Sequence, residues 1–426
     1  MAADEFPPVA DSQEFTPQYA RILSRYGISE SAFERKLGSF RKVMKKRGYT
    51  ATVPVLGVIL AHHPGILRKY RKNIEYAVHG HLYQDYSRIS FEDIQKHLAA
   101  SLKEFANYNI KPHGFRSPLL RWNDRILEAL LGHDFIYDSS DAVLWDNVVK
   151  VNRSRRNIIK AFYEFKSARN AISMPRVEKG IVRLPATLPN SYLLSNLWKI
   201  SNPFLLSEIF DSILNATHVR GELFNLNLSI EDFPEYAAPL DMLFDSVKKK
   251  KPPVWVASLE EIARWWNERG RIPFEIKEKN DGYHIISDAP KDATFLVRGA
   301  GTDVKSEKWF GRWKTVDKSH FIVKSGRMPG IGVIPGTPGK LVDFLRSEGF
   351  IVDESTGRER FAIYFDDIYR FDRNSGDEAR VLHRIENVYA PLVRLWRWPH
   401  KARSALSVTA DVDAVTMWDF LRRKRD

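Results

Sequence analysis

The apolar positions between Tyr19 and Arg47 recur at helical spacing, with Ile22, Phe33, Leu37, Phe40 and Val43 standing among charges. A stripe of that period buries one face of a helix and leaves the other in water. Gly27 interrupts the run and Ser29-Glu30-Ser31 supplies a fresh N-cap, so the pattern predicts a break there, with Gly48 as the stop. The next run, Thr52-Val53-Pro54-Val55-Leu56, is apolar without alternation, which suits a strand covered on both faces. A helix over Ile66 to Asn73 follows, then a strand at Glu75-Tyr76-Ala77-Val78 that ends at His79-Gly80-His81. Ser90-Phe91-Glu92-Asp93 has the form of a capping box and opens a helix running to about Tyr108. Pro112 to Phe115 reads as a short strand or turn, and Arg121 to Leu131 as a helix. Phe135-Ile136-Tyr137 reads as a strand ending at Asp138-Ser139-Ser140. Trp255-Val256-Ala257 and the helix Ser258 to Arg269 repeat the strand-then-helix order.

Strands alternating with helices of this kind predict repeated βα units, hence a parallel sheet with helices outside. From Phe274 to about Val333 the texture changes to short alternating runs punctuated by Gly, Pro, Asn and Asp, which predicts a small antiparallel β unit. A short helix at Leu341 to Ser347, a strand at Phe350-Ile351-Val352 and a helix at Asp377 to Tyr389 come next. The last strand, Ser404 to Thr409, ends in Ala410-Asp411-Val412-Asp413-Ala414 and precedes an amphipathic helix. This is another βα unit, set apart from the others by the β-rich stretch. There is no internal repeat.

At 426 residues the chain suits two or three domains. The absence of cysteine excludes disulfides, thiolate metal sites and cysteine nucleophiles, without fixing the compartment. The net charge of +13 is scattered, and its short clusters, Lys248 to Lys251 and Arg422 to Arg425, read as a solvated loop and tail. No zinc-finger spacing or RNA-binding aromatic signature accompanies them, so nucleic acid is not an expected partner. Met1 to Gln13 is acidic and has neither the basic nor the apolar region of a secretory signal. The longest apolar stretch, Val53 to Ala61, falls far below the ~18 residues of a membrane span. A soluble, cytoplasmic protein with no membrane partner is expected. Oligomeric state is not legible.

In parallel α/β folds the chemistry gathers at the C-terminal ends of strands. Asp411 and Asp413 stand there. Residues two apart on a strand point the same way, and two carboxylates so placed repel unless a metal ion or an arginine accompanies them. The alternative is a helix N-cap at Asp413 and a surface acid at Asp411. His79 and His81 flank a glycine and are candidate metal ligands, with a structural loop pair as the alternative. His62-His63 is explained by a helix N-terminus. Arg116, in the turn Gly114-Phe115-Arg116-Ser117-Pro118, could orient a catalytic aspartate or sit exposed in a loop. Asp138, Tyr137 and Trp145 offer an acid and an aromatic wall, or else a cap and core residues.

In their order along the chain these motifs resemble those of the polysaccharide deacetylases, the NodB-homology or carbohydrate esterase family 4 group. The resemblance runs over His79 to Tyr86, Gly114-Phe115-Arg116-Ser117-Pro118 and Phe135-Ile136-Tyr137-Asp138-Ser139-Ser140, with Thr50 to Trp145 most alike. Val254 to Arg269 is similar to the closing unit of that family's barrel. The resemblance implies an α/β fold, a distorted (β/α) barrel at about 14–273, with a smaller β-rich α+β domain at 274–399. The family's first strand carries two acids, and Ala10-Asp11-Ser12 lacks the apolar strand such a motif needs. Asp411-Val412-Asp413 looks like that motif, which implies a circularly permuted barrel completed by 403–426. The alternative leaves that strand in the second domain.

The implied activity is metal-assisted removal of N-acetyl groups from a carbohydrate. A divalent metal, zinc above all, is expected on Asp413, His79 and His81, with Asp411 as base, Arg116 holding it, and Asp138 beside them. Tyr83, Trp122, Tyr137, Trp145 and Asn227 are the expected substrate contacts. Two departures stand out. Tyr83 falls where the family has a second metal-binding histidine, and Asn227 falls where it has a histidine that protonates the leaving amine. Asparagine donates a hydrogen bond but transfers no proton near neutral pH. A protein that keeps the groove and binds sugar without hydrolysis is the alternative function, and a basic binding protein outside this family is a third reading.

Overall fold

The computed structural model describes residues 15–373 and 376–423. The acidic stretch Met1 to Gln13, including Ala10-Asp11-Ser12, lies outside the described residues, as do Lys424 and Arg425 of the C-terminal basic cluster.

The helices Phe15–Tyr26 and Glu30–Arg47 form with the break at Gly27 and the stop at Gly48 that the periodicity predicts. Gly48 adopts φ +76, and its N–H bonds back to the last turn. Four strands then follow: β1 (Ala51–Val55), β2 (Ile74–Val78), β3 (Gly114–Phe115) and β4 (Tyr137–Asp138). They pair in parallel, in that order. Every residue of β1 is buried, as its unbroken apolar run requires.

The strand Ser404–Asp411 enters this same sheet, between β1 and the strand Leu223–Ser229. It runs parallel to both, and Thr409 stands opposite Thr52. Its first residues pair with Val254–Val256, so that short strand and β1 share one edge of a longer one. The resulting sheet has 12 strands. The fold is α/β, and this sheet is parallel apart from the hairpin of Arg176–Glu178 with Ile181–Arg183. The helices Glu30–Arg47, Phe91–Asn107 and Phe233–Lys249 bury one face each against it.

The region between Phe274 and Val333 contributes strands to two four-stranded sheets, antiparallel as expected. A third sheet is parallel instead. Met328–Val333 lies between Val352–Glu354 and Phe361–Phe365, with the helix Gly339–Ser347 as a crossover. Alternation along a strand reports which face is wet but not which neighbour it pairs with, so the expectation of antiparallel pairing up to Val333 fails at this last strand. The expected strand at Phe350 begins two residues later. The helix expected from Ile66 to Asn73 ends at Lys69.

Candidate active site

Asp411 is the last residue of its strand and Asp413 lies just beyond it, at the C-terminal mouth of the sheet. β2 delivers His79 to the same mouth and β3 delivers Arg116. β3 approaches β4 closely because residue 114 is glycine: a Cβ there would lie 1.8 Å from Cζ of Tyr137.

Arg116 is fully buried. Its Nη1 donates to Oδ1 of Asp411 at 2.7 Å and to Oγ1 of Thr409 at 2.8 Å. Its Nε donates to the Ser139 carbonyl, and its Nη2 to the Ser139 hydroxyl, which also accepts from Asn225. A buried guanidinium is tolerated only when its donors are used and its charge is paired, and here both conditions are met. The Asp411 side chain is 15% exposed and lines a small pocket. Thus the arginine fixes the acid without sealing it off.

Nδ1 of His79 donates to the Arg116 carbonyl at 2.7 Å, which turns Nε2 towards Oδ1 of Asp413 at 3.2 Å. Burial opposes protonation of this imidazole, but the hydrogen bond to Asp413 and the charges of Asp411 and Asp413 outweigh it, and the pKa rises above its ordinary value. Burial also works against the Asp413 carboxylate. The imidazole, then Arg423 and Arg25, more than offset that and hold its pKa below the usual range.

The pocket has about 50 Å³ of room for water centres, enough for one or two ordered waters. Tyr83 and Asn227 line it, as do Tyr26, Tyr163 and Tyr192. Two arginines that the sequence did not single out also line it. Arg25 pairs with Glu231 and Asp232, at 3.1 Å to each. Burial pushes the Glu231 carboxyl well above the ordinary range, and Arg25 only partly offsets it. The guanidinium of Arg423 sits 4.0 Å over the ring of Tyr83 and 4.1 Å over that of Phe420. Arg423 was read as part of a solvated tail. It is buried instead, because the helix Met417–Arg422 packs against Phe15–Tyr26 and brings Arg423 to the pocket.

The other expected site residues lie elsewhere. Gly80 has φ +82, and that turn sends His81 away from Asp413. The His81 ring packs against Gly57 and the helix of Ser101, and its backbone N–H donates to the Tyr86 hydroxyl. Asp138 forms an ion pair with Arg183 at 2.7 Å, and that guanidinium stacks 3.8 Å over Trp122. Burial raises the Asp138 carboxyl, with Arg183 opposing it. Tyr137 is a buried core residue whose hydroxyl donates to Glu75 at 2.5 Å. Trp145 is buried too, beneath Arg220. None of these five side chains lines the pocket. His62-His63 ends a helix rather than starting one, and His63 bridges Asp419 and Glu30 at 2.7 and 2.6 Å. Asp413 is not a helix cap: Thr416 caps the helix after it.

Among the described residues no three His, Asp or Glu side chains are grouped to hold a metal ion. His79 and Asp413 are two donors, and His81 is turned elsewhere. Zinc sites take at least three protein ligands. The donor set therefore does not fit zinc, and the positive charge at this mouth is carried by guanidinium groups.

Residues 37–136 match the family model for polysaccharide deacetylase. The resemblance drawn from the loop motifs thus holds from the second helix to the edge of β4. Among solved structures, similar ones include a putative polysaccharide deacetylase from Mycobacterium smegmatis, 19% identical over 62% of this chain and 88% of that one, with a TM-score of 0.46. Puue allantoinase is 14% identical over 62% and 79%, with a TM-score of 0.45. A probable polysaccharide deacetylase from Pseudomonas aeruginosa PAO1 is 16% identical over 62% and 80%, at 0.44. No curated protein matches the chain. No helix among the described residues is long and apolar enough to cross a membrane.

Proposed function

We propose that this pocket hydrolyses an amide, the N-acetyl group of a carbohydrate, by acid–base chemistry of the chain's own side chains. The observation that carries the reading is the 2.7 Å bond from buried Arg116 to an Asp411 that still faces the pocket. Asp411 takes a proton from a water in the pocket as that water attacks the carbonyl carbon. His79, whose protonated form Asp413 favours, supplies a proton to the leaving amine in place of the histidine that Asn227 replaces. Arg423 and Arg25 supply the positive potential that steadies the developing oxyanion. No step is routed through a metal. On this reading the barrel, 14–273, is permuted and is completed by 403–426, with 274–399 a separate β-rich domain.

Asn227 favours a second reading, in which the pocket binds sugar without turnover. Acetate release from N-acetylated oligosaccharides separates the two. Release that falls at least 10²-fold in Asp411→Asn and in His79→Gln supports hydrolysis. Saturable sugar binding with no acetate released by the wild type supports the second reading. Release unchanged in both variants refutes the assignment of the site.

A further inference from the structure

The strand Ser404–Asp411 has two ends, and the second end carries a site of another kind. Arg403 immediately precedes it, roughly 26 Å of extended chain from Asp411. The Arg403 guanidinium lies 4.3 Å from the ring centre of Phe310, 4.7 Å from that of Trp396 and 5.4 Å from that of Trp309. Nη2 donates to the Val219 carbonyl at 2.6 Å. Among the described residues, Nε has no hydrogen-bond partner and no carboxylate oxygen lies within 4.0 Å of the group. A buried cation left like this is costly unless something pairs with it. Burial, and then the neighbouring charge of Arg397, draw its pKa down to about 9.

Beside it opens a cavity of about 550 Å³, within the range of small-molecule sites. Arg220, Arg312, Arg394 and Arg397 line it with Arg403, against the carboxylates of Glu222 and Glu386. Those two acids are already engaged. Glu222 pairs with Arg220 at 2.8 Å, and Glu386 pairs with Arg298 at 3.2 Å and accepts from Trp313 Nε1. Glu348, behind the wall, is held by Arg394 and Arg397. The cavity therefore presents an excess of guanidinium charge together with an indole wall, Trp313 and Trp396.

We propose that this cavity binds a phosphate-bearing small molecule, its phosphate on Arg403 and Arg312 and its apolar part on the indoles. A multiply charged phosphate matches the excess of several guanidinium groups better than a single carboxylate does, and its geometry suits their paired donors. The site lies at the mouth opposite Asp411 and is independent of the hydrolytic reading.

Calorimetric titration of the full chain with inorganic pyrophosphate tests it, with sodium chloride added to hold ionic strength constant. Saturable binding at one site per chain is expected. Arg312 is exposed, so Arg312→Glu should fold, and it should weaken binding roughly tenfold or more. Arg403→Lys keeps the charge but loses the stacked plane, and should weaken binding similarly. Lys103→Glu, on an exposed helix face elsewhere, should leave binding unchanged. Citrate in place of pyrophosphate should bind at least tenfold more weakly. Absence of saturable binding overturns the proposal, as does binding that ignores Arg312→Glu. Citrate equal to or tighter than pyrophosphate overturns the phosphate assignment.

Discussion

Glu75 is a half-buried carboxyl on β2, and replacing it with glutamine should make the protein more stable at alkaline pH. Oε1 accepts from the Tyr137 hydroxyl at 2.5 Å, and Oε2 accepts from Thr52 Oγ1 at 2.7 Å and from the Glu260 N–H at 3.0 Å. Burial nonetheless dominates these three bonds and raises the pKa from 4.5 to about 7. A raised carboxyl binds its proton more tightly when folded. Its contribution is fully present below about pH 4.5 and is lost as pH rises through about 7. At 1.36 kcal/mol per pH unit the loss amounts to about 3 kcal/mol. Glutamine reproduces the protonated form. Its oxygen can accept from Thr52 and Glu260, while its nitrogen donates to the Tyr137 oxygen. Urea unfolding at pH 5 and pH 8.5, for wild type and Glu75→Gln, measures the difference of differences and so cancels the other titrating acids. The variant should match the wild type at pH 5 within about 1 kcal/mol and exceed it by about 3 kcal/mol at pH 8.5. In urea midpoint that is about 1 M, for an m of about 3 kcal/mol/M. Equal loss of stability in both proteins between the two pH values would refute the buried-acid argument.

Arg116→Met should cost about 3–5 kcal/mol in urea unfolding, since it leaves three hydrogen-bond acceptors and the Asp411 carboxylate without their donor. Acetate release should fall with it, and adding Asp411→Asn should recover part of the stability but none of the activity. Gly114→Ala places a methyl group 1.8 Å from the Tyr137 ring and should yield little soluble protein, whereas Gly114→Ala with Tyr137→Leu should recover expression. Asp419 resists protonation: burial works against its charge, but His63 and the Thr416 cap hold the pKa far below the usual range. Stability from that depressed carboxyl is present above about pH 4 and lost as pH falls. Asp419→Asn should therefore lower the melting temperature at pH 7, by about 2 kcal/mol of stability, and matter progressively less in acid.

The strand-and-helix order around the large sheet was legible because apolar runs and caps are local properties of the chain. Gly27, Ser29 and Gly48 punctuate the first helices where conformational preference alone requires it. That Asp411 and Asp413 need a cation was legible for a different reason, since two acids on one strand face repel, but only the family resemblance pointed to Arg116 as that cation. What the pattern could not supply was direction at loops. His79 and His81 differ in sequence by two positions, yet the turn at Gly80 sends one ring to Asp413 and the other into the helical layer. Tyr137 and Trp145 were expected at the pocket because aromatic faces suit sugar rings, but both side chains are buried in the core.

By itself the sequence determined the elements, their burial and the presence of an acid pair that requires a counter-charge, because each follows from side-chain period and from the energetic demands of groups taken out of water. Only the tertiary structure decided which further charges and rings gather at that mouth. Arg25 lies 206 residues from Glu231, and Arg423 reaches Tyr83 from the far end of the chain. Those encounters depend on the strand Ser404–Asp411 inserting between Leu223–Ser229 and β1. Sheet order is a non-local choice, set by which buried edges find partners, and no run of residues encodes it alone.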